Sequence, residues 1–176
     1  FFHDSFQSAL MSKVEAFNQL NTEQYDDWIY DVLPQIEIKT IAHIMSLMEH
    51  SAAATLCTFM DSDADGMLMQ GNIFSAMVTR RSLQAAAAIA DHLDIEIAYS
   101  IFLLMQAEHV PFILQAMGDD NVAKLFEAMV ENVDEAGAAT WLAKVDATKA
   151  SQIASKMDPD LLADVFGHMD APAVAK

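Results

Sequence analysis

Only one cysteine, Cys57, occurs in the 176 residues, so no disulfide within the chain can staple the fold. It falls on the apolar face of a helical stretch and is expected as a buried, reduced thiol, which fits a reducing compartment. Five glycines and four prolines against 53% hydrophobic residues exclude a disordered or low-complexity chain. Basic residues are scarce: 9 Lys and Arg face 26 Asp and Glu, a net charge of -17. No basic run exceeds Arg80-Arg81. Such a chain repels phosphate backbones and anionic lipid headgroups, so nucleic acid is not an expected partner. The longest nearly continuous apolar run, Ile97 to Met105, is too short to cross a bilayer, and no transmembrane segment is expected.

Alternating β-branched runs are missing, which argues against strands. There is no glycine-rich phosphate loop, nucleophile elbow or zinc-type Cys/His spacing, so no enzymatic activity and no tightly bound cofactor are expected. His43 and His50, seven residues apart near Met45 and Met48, read as interface side chains rather than a soft-metal site.

What is present is a repeat. Apolar anchors stand at Leu93, Met105, Met117, Met129, Val145, Met157 and Met169, each step being 12 residues except the 16 from Met129 to Val145. Apolar side chains also recur seven, four and three residues before each anchor, as in Val110, Ile113 and Leu114 before Met117. Those offsets share one face of a helix. Each unit therefore encodes about two and a half turns followed by a break. Asp158-Pro159 supplies a capping side chain and a first-turn proline, and Gly118-Asp119-Asp120 supplies a stop and an acidic start. The pattern also appears around Met48 and Met60, giving nine units, with an interruption between Met60 and Leu93. Helices this short are unstable alone and must stack. The expected fold is all-α, a superhelix or solenoid of about ten to twelve short helices forming one folded domain.

Residues 1–38 lie outside the register and are expected to cap or dock the array over residues 39–176. Phe2, Phe6, Leu10 and Phe17 lie near one helical stripe, and Trp28 belongs to an aromatic cluster on the next helix, which Pro34 ends. Phe2, Phe6 and Trp28 are the candidate partner-binding residues. The chain starts without Met, which suits either a trimmed chain or a mature protein whose leader was removed; the second would allow an organellar setting such as a plastid.

The interruption over residues 61–80 contains Asp61-Ser62-Asp63-Ala64-Asp65-Gly66, running on to Asn72. It resembles a degenerate EF-hand loop. Asp61, Asp63 and Asp65 match ligand positions, Gly66 the tight turn and Asn72 the closing position, where a bidentate Glu is the rule. Asp61, Asp63, Asp65 and Asn72 are thus candidate ligands for Ca2+ or Mg2+. A bland acidic turn is the competing interpretation.

The recurring pattern over Ile113 to Met129 and Ala150 to Met169 also resembles the intracellular N-terminal domain of MgtE-type magnesium transporters and the helical domains of flagellar rotor proteins. The resemblance covers residues 39–176. It implies a superhelix of short helices separated by acidic turns, on the soluble face of a larger, often membrane-bound assembly. It assigns no magnesium-gating residue. The expected function is a non-enzymatic helical adaptor, scaffold or linker subunit that binds protein partners, peripheral on a larger complex, with a membrane or photosynthetic complex as one setting. The alternative is a cation-responsive regulatory domain.

Overall fold

A computed structural model describes residues 11, 12, 14, 15, 28–60 and 64–169. Among them are ten α-helices and no strand. They are α1 (Ile38–Met45), α2 (His50–Met60), α3 (Ala64–Thr79), α4 (Leu83–Ala90) and α5 (Ile95–Leu104). Then come α6 (Val110–Ala116), α7 (Asp119–Glu131), α8 (Glu135–Leu142), α9 (Ala147–Ala154) and α10 (Pro159–Gly167). Before them, Trp28–Val32 makes a wide helical turn and Leu33–Gln35 a 3-10 turn around Pro34, with Ile29 and Leu33 buried.

Ten helices correspond to ten units, one more than the spacing suggested. The residues from Ala64 to Asn72, expected to turn around a cation, are helical, and the interruption over residues 61–80 is occupied mainly by α3. Within α3, Ile73, Phe74 and Met77 fill the repeat slots and are buried. This unit escapes an apolar search because its first slot is Gln70, fully buried, whose amide donates to the Cys57 carbonyl at 2.7 Å. The Gln70 donor is paired, while its buried Oε1 has no hydrogen-bond partner among the described residues. The 16-residue step after Met129 also has a cause. Helix α7 runs to 13 residues, one turn longer than most, and carries its anchor inside the helix.

The slot four before the anchor is buried in all ten units, from Ile44 and Leu56 to Ile153 and Val165. Burying one such side chain contributes about 1.5–3 kcal/mol. The neighbouring slots are buried through α8; Ala150, Leu162 and Phe166 in the last two units are progressively more open. Cys57 is buried, as expected.

Helices pack two apart. α1, α3, α5, α7 and α9 form one row, and α2, α4, α6, α8 and α10 form another. The rows meet along the core, where Phe102 and Trp141 sit edge to face at 6.2 Å.

A second repeat, polar and invisible to the hydrophobic spacing, stitches the rows. Four side chains two residues before an anchor accept hydrogen bonds from backbone N–H groups just after an anchor further on. The Gln106 N–H donates to Ser75 Oγ at 3.1 Å, and the Gly118 N–H donates to the Asp91 carboxylate at 3.0 Å. The Asp146 N–H donates to Gln115 Oε1 at 3.0 Å, and the Asp158 N–H to Glu127 Oε1 at 2.7 Å. Each bond therefore runs from one helix to the start of the third helix after it. Those N–H groups are the ones a helix leaves without internal partners. From the opposite direction, buried Lys149 donates to the Met117 carbonyl and, at 2.6 Å, to Asp119.

Local caps complete the breaks. Asp134, Asp146 and Asp158 accept from Gly137, Lys149 and Asp160 N–H groups. Gly118 is not the left-handed stop that its place suggests; it is an extended N-cap with φ -64°. Asp134 also accepts from the Tyr99 hydroxyl at 3.0 Å.

Two tests follow from this packing. A Cβ on Gly71 would lie 2.7 Å from the Leu104 backbone, so α3 and the end of α5 approach too closely for a side chain. Gly71→Ala is expected to lower unfolding free energy by about 1–3 kcal/mol in urea titration. Burial first, then the hydrogen bond to Asp134 and the charges of Asp134 and Glu96, push the Tyr99 phenol above its ordinary value. Folding therefore favours the protonated phenol. Its contribution is complete below pH of about 10 and is lost as pH rises through the higher folded value. The stability gap between wild type and Tyr99→Phe should narrow above that pH.

Candidate interaction surface

Two side chains break the repeat's own outward pattern. The slot five before the anchor is polar or alanine in nine units, for example Thr55, Ser100, Lys124 and Thr140. In α6 it is Phe112, 55% exposed. The slot that supplies the row-stitching acceptors holds Leu103 in α5, 54% exposed. Neither is needed by the core, since Val110, Ile113 and Leu114 already fill the inner face of α6.

Phe112 separates two depressions. One, of about 440 Å³, is lined by Val78, Arg81, Leu83, His109 and Phe112. The other, of about 480 Å³, lies among Glu108, Pro111, Gln115, Lys144 and Asp146. Its floor is fixed, because Gln115 Nε2 also donates to Asp146 Oδ2 at 2.6 Å. A third depression, of about 450 Å³, lies beside α3 and includes Glu37, Lys39, Ser75 and Gln106.

Each depression contains a cation whose side chain makes no ion pair or hydrogen bond among the described residues: Lys39, Arg81 or Lys144. By contrast, Lys149 and Lys156 pair with Asp119 and Asp120, and Arg80 donates to the Lys39 carbonyl at 3.1 Å. The surface bridge holds the Asp120 carboxyl below its ordinary range, chiefly through its hydrogen bond to Lys156.

Arg81 owes its place to an unusual turn. After α3, the Ser82 N–H donates to the Met77 carbonyl at 2.9 Å and the Arg81 N–H to Val78 at 3.3 Å. That pair of bonds closes a helix through one left-handed residue, normally glycine. Here the residue is Arg81, with φ 63°. Val133 fills the same role after α7, also with φ 63°, and is 81% exposed. No described glycine adopts positive φ. The other polar group in this depression is His109, whose Nδ1 is buried and has no hydrogen-bond partner among the described residues.

Of the residues singled out by sequence, only Asn72 has a described side chain. Asn72 is exposed on α3 and lines the third depression, in the same outward slot as Phe112. Asp61, Asp63, Phe2 and Phe6 lie outside the described residues, as do the side chains of Asp65 and Trp28. Among the described residues, no three His, Cys, Asp or Glu side chains are grouped to hold a metal ion, and no helix is long and apolar enough to cross a membrane. Arg81, His109 and Phe112 were missed because the apolar search followed inward slots. The outward Phe in α6 was the available signal.

No family model, curated protein or solved structure matches the chain.

The backbone at Arg81 and Val133 gives a direct test. A side chain in the left-handed region costs about 1–2 kcal/mol, which glycine avoids, although glycine also loosens the unfolded chain. Arg81→Gly and Val133→Gly should each raise unfolding free energy by up to about 1 kcal/mol. A lower melting temperature in both would contradict this.

Proposed function

We propose that the chain is a non-enzymatic helical adaptor, a scaffold or linker subunit that binds protein partners at the periphery of a larger assembly. The observation that carries this reading is Phe112, a large apolar side chain in a slot where every other unit has a polar residue or alanine. Stacking does not require it there, and an exposed aromatic between two depressions is the kind of anchor that protein interfaces use. Leu103 and Leu104, 54% and 40% exposed, add apolar surface at the end of α5. Part of the acidity has a structural use instead, since Asp91, Asp134, Asp146 and Asp158 accept from backbone N–H groups. The resemblance to domains carried by membrane-bound assemblies points the same way.

Affinity purification of the full chain from native extract tests the reading. A stoichiometric protein partner is expected, and Phe112→Ala should reduce its recovery while changing unfolding free energy by less than about 1 kcal/mol. Recovery of the monomer alone, from membrane and soluble fractions alike, would oppose it.

A further inference from the structure

We propose that the depression between Arg81 and Phe112 receives a short segment of a protein partner in which a carboxylate stands beside a large apolar side chain. This rests on the adaptor reading and specifies its contact. Val78, Leu83 and Phe112 give the depression an apolar wall, and about 440 Å³ accommodates a large side chain with the adjoining backbone.

Charge selects the rest of the ligand. In a chain of net charge -17, this is the one of the three depressions lined by a cation and by no carboxylate. The other two place Glu37, or Glu108 and Asp146, in the same depression as their lysine. A guanidinium recognises a carboxylate through paired N–H donors, and the rim of an apolar depression strengthens that bond relative to open water. His109 also lines the depression and adds no negative charge to it.

Backbone strain is independent support. Glycine would suit the turn better than Arg81, whose side chain is exposed and makes no hydrogen bond or ion pair among the described residues. Strained left-handed residues of this kind accumulate where a side chain must be presented to a ligand.

The test uses the full chain and two fluorescein-labelled, end-capped peptides, Gly-Ser-Leu-Phe-Glu-Gly and the same sequence with Gln for Glu. Wild type is expected to bind the Glu peptide about tenfold more tightly, the effect of one charge-assisted pair at a partly exposed site. Arg81→Gly should abolish that preference while melting no lower than wild type, so misfolding cannot explain the loss. Phe112→Ala should weaken both peptides. Equal affinities, no binding of either peptide, or a preference surviving Arg81→Gly would each overturn the proposal. So would binding of octanoate without binding of the peptides, which would assign the depression to a free apolar acid. If the peptides fail while a stoichiometric partner is still recovered from extract, the adaptor reading stands and only this contact is lost.

Discussion

A helix of about ten residues cannot hold itself together in water, because nucleation and end effects consume most of what its internal hydrogen bonds return. Everything else in this protein answers that constraint. Each short rod gives up one apolar face, and the face is covered by helices two before and two after it. Hence the same slots are buried from α1 through α8, and the slots loosen only in α9 and α10, where stacking partners among the described residues run out.

Short helices raise a second problem, since a large share of their backbone lies at ends. Ten helices expose many N–H groups near a core that excludes water. The structure answers with local caps at Asp134, Asp146 and Asp158 and with the longer bonds from Ser75, Asp91, Gln115 and Glu127. These bonds tie each row to the other. Much of the acidity therefore has a structural use, and -17 is not by itself a statement about partners.

Against so regular a background, departures carry meaning. Gln70 departs inward and gives up an apolar contact for a hydrogen bond to Cys57. Phe112 and Leu103 depart outward and leave apolar surface in water. Arg81 and Val133 depart in backbone, occupying left-handed positions while Gly71 is spent in a straight helix where close approach demands it. One outward departure, Phe112, and one backbone departure, Arg81, line the same depression.

The sequence alone determined the helical class, most of the units and the inward face of each helix. Spacings of three, four and seven act within one helix and do not depend on what lies outside it. The caps at Asp158 and Pro159 were legible for the same reason. Only the tertiary structure decided which helices are neighbours, why Gly71 lacks a side chain, and which carboxylates reach helix starts about thirty residues away. It also carried the helix holding Ile73, Phe74 and Met77 back to Ala64, through most of the segment where a turn was expected. The depression beside Arg81 is likewise tertiary, since its walls come from α3, α4 and α6, and no local spacing can tell which rods meet.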